Sequence, residues 1–187
     1  LLNSKSERFP NGLGNDNGLL GKYIAFQNYR ASVTADMDGF SDRYYFGRNP
    51  TELILANYRN LHKQETDYKG GFTTFMGAYR NRGPKETGEG GVGGAYKDSL
   101  TEPGGWSAYM YLQGETIPKE RNHVRLSTKQ KDQWGIPLLI TSVEYDDNDE
   151  RMIQDFLTQT ADMFEKAGCT NIQKHENKQA PGLDIHE

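Results

Sequence analysis

Residues 138–168, LLITSVEYDDNDERMIQDFLTQTADMFEKAG, decide the fold class. In 138–145, Leu139, Thr141, Val143 and Tyr145 fall on one side and Leu138, Ile140 and Ser142 on the other, the period-two pattern of a strand. Asp147, Asn148 and Asp149 then supply an N-cap and a first turn rich in acid, which favours a helix start. Ile153, Phe156, Leu157, Thr160, Ala161, Phe164 and Ala167 recur at helical spacing. Gly168 stands where a helix terminates on a residue with positive φ. Working outward, 171–175 reads as a short closing strand. Upstream, 29–37, 52–58, 71–79, 106–115 and 123–127 each carry strand-like apolar or aromatic patterning. Residues 29–37 place Tyr29, Ala31, Val33, Ala35 and Met37 on one face. Many strands with one strong helix predict an α+β fold, mainly an antiparallel sheet of about six strands backed by helices.

Composition agrees. Of 187 residues 34% are hydrophobic, with 21 Gly, 11 Tyr and 8 Phe, a balance that suits one strand-rich and loop-rich domain. The 22 basic and 26 acidic residues give a net charge of −4 with no long run of one sign, which argues against a nucleic-acid partner. No apolar stretch approaches the roughly 18 residues that span a bilayer, so the expectation is a soluble protein of the cytoplasm or periplasm. Cys169 is the single cysteine, which excludes an intrachain disulfide and a thiolate-rich metal site. Between Asn81 and Gly105 the chain carries eight glycines with Pro84 and Pro103. That texture reads as a long loop, either a surface insertion or a lid.

Three apparent motifs dissolve on inspection. Residues 88–93 match G-x-G-x-x-G, but the preceding segment is too polar and Pro-interrupted to be the buried strand that a dinucleotide site requires. Ile185-His186-Glu187 follows Pro181-Gly182 and lacks the helix of a zinc motif. The acids at 36–38 and 146–149 lack the spacing of a calcium loop. No metal site is expected, and His62, His123 and His175 read as surface or sheet residues.

The order of several pieces says more. Gly114-Glu115-Thr116-Ile117-Pro118, then Asn122-His123-Val124-Arg125-Leu126, then Asp132-Gln133-Trp134-Gly135-Ile136-Pro137 lead into the strand and helix above. They are followed by Ala180-Pro181-Gly182-Leu183-Asp184-Ile185-His186-Glu187. Near the start, residues 9–15 with Leu20-Gly21-Lys22-Tyr23, and then 44–48, complete the series. This series resembles the C-terminal half of glucose–methanol–choline (GMC) oxidoreductases, in particular the pyranose oxidase branch. The resemblance spans most of the chain outside the Gly-rich stretch.

It implies a crossover segment over 1–28 leaving a flavin domain, and a substrate-binding domain over 29–187. It implies FAD as cofactor of the whole enzyme and a small-molecule alcohol or sugar as substrate. The flavin domain of the same polypeptide would be the partner. By the same resemblance His186 opens the family's histidine motif and would accept the hydroxyl proton. Gln113 and Glu115, at the end of a strand lining the sheet face towards the flavin, would touch substrate. The hard chemistry belongs to the flavin, so this chain alone is expected to be inactive and not to retain FAD. The competing reading is a non-catalytic β-rich carbohydrate-binding or interaction module, with Trp106, Tyr109 and Tyr111 as stacking residues.

Overall fold

A computed structural model describes residues 1–43, 52–82, 93–99 and 103–177. The elements run β1 (Gln27–Asn28), β2 (Ala31–Met37), β3 (Leu53–Leu55), β4 (Phe72–Arg82), α1 (Gly94–Ser99) and β5 (Pro103–Glu115). They continue through β6 (His123–Lys131), β7 (Pro137–Ser142), α2 (Asp147–Lys166) and β8 (Thr170–Glu176). Six strands form one antiparallel sheet in the order β3-β4-β5-β2-β8, with β1 also paired to β5. β6 and β7 form a separate hairpin. The fold is therefore mixed α+β and dominated by antiparallel sheet.

Alternation builds the core. Ala31, Val33 and Ala35 of β2 and Ala108, Met110 and Leu112 of β5 turn to one face, where they are buried. Met152, Ile153, Phe156, Leu157 and Phe164 of α2 close over them. Phe72 meets Phe156 edge-to-face at 5.7 Å, a favoured aromatic geometry. Gly114 of β5 lies directly under Met152, whose sulfur occupies the space that a Cβ there would need. The helix thus sits close to the sheet at that end.

The helix begins one residue earlier than the sequence suggests. Asp146 is the N-cap, accepting from the backbone of Asn148 and Asp149, and Asp149 answers by accepting from Asp146 N at 2.8 Å. Gly168 does follow the helix with φ +80°. Asp149 is 1% exposed and its second oxygen, Oδ1, finds no hydrogen-bond partner. Burial, reinforced by the nearby Asp146, pushes its carboxyl up to about 6. The folded protein therefore holds a proton on Asp149 that the unfolded chain, near 3.8, has already released. Between those two values the folded state binds more protons, so this group's contribution to stability falls as pH rises through the window. Urea unfolding of the native chain and of Asp149→Asn at pH 7 and pH 4.5 is expected to show the native chain gaining on the order of 1 kcal/mol relative to the variant at the lower pH. A constant difference between the two would refute the assignment.

Four expectations need correction. The strand expected over 29–37 starts two residues later, as β2, and a short β1 precedes it, because Arg30 between them turns its side chain into the protein under the first turn of α2. There Arg30 donates to Glu150 Oε1 at 2.6 Å, to Asn177 O at 3.2 Å and to Asn28 Oδ1 at 3.4 Å, and it lies 3.9 Å from the Tyr145 ring. The run 52–58 supplies only the short β3. Residues 138–145 do contain a strand, but among the described residues β7 pairs with β6 alone, and Leu138 and Leu139 stay exposed. The Gly-rich stretch is less loop-like than its composition. β4 extends to Arg82, β5 starts at Pro103 and pairs with Arg82, and α1 forms within the connection. Pro103 is tolerated as the first residue of a strand. Residues 83–92 lie outside the described residues, and with them most of the G-x-G-x-x-G match.

Candidate functional site

Only one face of the large sheet carries the helix. The other face presents the alternate residues of each strand, and its chemistry changes along β5. In the middle, Phe75 and Tyr111 stack at 5.3 Å and 7°, and Tyr111 and Tyr109 stack at 6.4 Å and 9°. The Tyr109 ring lies over Gly77, where any Cβ would strike it. Glu52 accepts from the Tyr111 hydroxyl at 3.0 Å and from that of Tyr109 at 3.5 Å. Burial, then the Glu52 carboxylate, holds both phenols above their ordinary value, so they remain donors.

This geometry bears on the stacking residues of the module reading. The Tyr109 and Tyr111 rings stack on each other and Tyr111 on Phe75, and Trp106 donates its indole N–H to Phe40 O at 3.0 Å, while all three side chains stay half-buried.

At the C-terminal end of β5 the same face hollows into a groove of about 600 Å³. Phe26, Ile54 and Phe75 supply its apolar walls, while Thr73, Gln113 and Glu115 supply polar groups. Both substrate-contact candidates thus stand in one groove, Gln113 as a neutral amide and Glu115 as a carboxylate. Thr116 fixes the near wall. Its hydroxyl donates to Phe26 O and accepts from Phe26 N, which ties residues 25–27 to the end of β5. Phe26 also packs edge-on against Tyr145 at 5.1 Å. Gly114 forms the floor between groove and helix. A second loop anchors to α2. Asn60 gathers residues 60–70 by donating to Gly70 O, Tyr68 O and Thr66 Oγ1. Arg59 grips Asp155 of α2 with two bonds, at 2.6 and 2.9 Å, and the Tyr68 hydroxyl donates to the same carboxylate at 2.7 Å.

His186 lies outside the described residues. His62 is exposed in the 60–70 loop, His123 belongs to β6, and His175 of β8 pairs with Thr34 Oγ1 at 3.0 Å. Among the described residues no three His, Cys, Asp or Glu side chains gather as a metal site. Among them, too, no helix is long and apolar enough to cross a membrane. Sequence reasoning missed Phe26, Ile54 and Glu52, because each reaches the groove or its rim from a segment far from β5 in the chain. Gly77 beside Phe75 was the legible hint of a large ring crossing β4.

No protein-family profile matches the chain. Over 162 residues, 80% of its length, the chain is 30% identical to a 2-methyl-1,2-propanediol dehydrogenase of Mycolicibacterium austroafricanum. It spans 28% of that protein. The chain is thus similar to one part of a longer oxidoreductase whose named substrate is an alcohol.

Proposed function

We propose that this chain is the substrate-binding portion of an FAD-dependent oxidoreductase of the GMC type, acting on the CH–OH group of a sugar or other alcohol. The observation that carries the reading is the uncovered sheet face with its groove at Gln113 and Glu115, taken with the similarity to an alcohol dehydrogenase. An apolar wall with a few convergent polar groups suits a small hydroxylated substrate. In this reading Gln113 and Glu115 orient the substrate, the amide donating to the reacting oxygen and the carboxylate accepting from a neighbouring hydroxyl, which leaves the reacting hydroxyl's own proton for a base. His186 takes the hydroxyl proton, a role that suits an imidazole near neutral pH.

The flavin, when bound, supplies the hydride acceptor. The described residues do not fit the rest of that cofactor. The N-terminus of α2, the one long helix among them, is closed by its own carboxylates, Asp146 and Asp149, which disfavour a phosphate there. The phosphates would be held elsewhere in the longer polypeptide, and the groove end of the face opposite α2 would pack towards that flavin domain.

The test is steady-state oxidation of alcohols by the whole polypeptide with an artificial electron acceptor. Gln113→Ala is expected to raise KM about tenfold, the loss of roughly one hydrogen bond to a neutral group, while flavin absorbance stays intact. An unchanged KM would remove Gln113 from the site. A whole polypeptide without flavin absorbance would remove the GMC reading.

A further inference from the structure

The sheet face opposite α2 has a second concave region, at the opposite end of β5 and about 20 Å from Gln113 along the strand. It is a cleft of about 270 Å³ crossing β4, β5, β2 and β8. Asp36, Asn81, Ser107, Asn171 and Gln173 line it, with the Tyr79 ring at its side. The polar groups are already organised. Asn81 Nδ2 donates to Ser107 Oγ at 2.8 Å, Ser107 Oγ to Asp36 Oδ1 at 3.3 Å, and Asn171 Nδ2 to Asp36 Oδ2 at 2.8 Å.

The backbone is shaped for this arrangement. The β2–β8 register shifts between Thr34 and Asp36, and Asn171 adopts φ +49°, which turns its amide across the strands towards Asp36. Bulges and left-handed residues of this kind concentrate at functional sites.

We propose that this cleft is a second binding site, distinct from the groove at Gln113, and that it takes a neutral polyhydroxylated ligand, a sugar or polyol. The chemistry selects that class. Asn81 and Asn171 use their Nδ2 atoms in the network, which leaves their Oδ1 atoms to accept from ligand hydroxyls, and the Gln173 amide offers both a donor and an acceptor. Tyr79 meets Tyr109 at a tilt of 39° rather than in a stack and is 47% exposed, so its ring offers a surface to C–H groups of a sugar. Among the described residues no cationic side chain lines the cleft, so none of them draws in an anion. The oxygens of Asp36 are engaged by Asn171 and Ser107, a poor start for a metal ion. This site is independent of the alcohol-oxidising reading.

The test is titration of the chain with sorbitol, glucose and gluconate, followed by proton–nitrogen correlation spectra of the side-chain amides. Saturable shifts of Asn81, Asn171 and Gln173 are expected with sorbitol or glucose in the millimolar range, with gluconate binding more weakly for want of a cationic partner among the described lining residues. Tyr79→Ala and the surface variant Gln173→Ala are each expected to weaken binding about tenfold while leaving the spectrum dispersed as in the native chain. No shift with either neutral ligand would overturn the proposal. So would shifts confined to Gln113, equal binding of gluconate, or folded variants that bind as tightly as the native chain.

Discussion

Arg30→Ala is expected to lower the unfolding free energy by about 3 kcal/mol, read as a drop in the urea midpoint at constant slope. The Arg30 side chain is fully buried, and it ties three parts of the chain together. Its removal strands Asn28 Oδ1, which costs about 1 kcal/mol or more when buried without a partner, while water reclaims the carbonyl of the exposed Asn177. It also opens a large void against the Tyr145 ring, and voids of that size cost a further few kcal/mol where the surroundings cannot collapse. Glu150 moderates the effect. Its side chain is 40% exposed, so water reclaims the carboxylate and no isolated buried charge is left. Arg30→Met separates the causes, since it keeps most of the stem volume and loses the hydrogen bonds. It is expected to fall between the native chain and the alanine variant. A loss below about 1 kcal/mol for alanine would show that the network contributes little net stability.

Gly114→Val is expected to cost about 2 to 3 kcal/mol by overpacking. The residue pairs with Phe72 on one side and Asn28 on the other, so the strand has no freedom to retreat, and Met152 fills the space above it. Either Met152 leaves its rotamer or the start of α2 lifts from the sheet. The second response would also disturb the groove, because Gly114 is its floor. Gly114→Ala combined with Met152→Ala gives a direct check. If the sulfur is the obstacle, the double variant is more stable than the sum of the singles predicts, by about 1 kcal/mol. Additive losses would place the strain elsewhere.

Periodicity made part of this molecule readable. The alternation of Ala31, Val33 and Ala35 and the spacing of Ile153, Phe156, Leu157 and Phe164 point to the core, because burial on one face imposes those periods. Three other features obey different rules. Met152 breaks no pattern, yet its burial depends on a glycine thirty-odd positions away in sequence. The 60–70 loop is organised by the side-chain amides of Asn60 and Gln64, which have no periodic signature. The Gly-rich stretch misleads because glycine and proline signal turns locally, while the β4–β5 ladder overrides them across Arg82 and Pro103. The candidate groove was half legible. Gln113 and Glu115 are near neighbours on one strand, so an argument about one strand face places both. The opposing walls, Phe26 and Ile54, required knowledge of which strands lie beside β5.

The sheet order also sets a timetable. β2 is flanked by β5 on one side and by β8 on the other, with Ala31 opposite Glu176. During synthesis from the N-terminus, β2 leaves the ribosome long before its outer neighbour exists, roughly 10 to 30 s earlier at ordinary elongation rates. For that interval its N–H and C=O groups form an unclosed edge, and the Ala31–Val33–Ala35 stripe has no helix over it, since α2 also arrives late. Such an edge is a template for pairing with another nascent copy. Arrival of α2 and β8, rather than collapse of the first half, is the step that closes this edge to its neighbours.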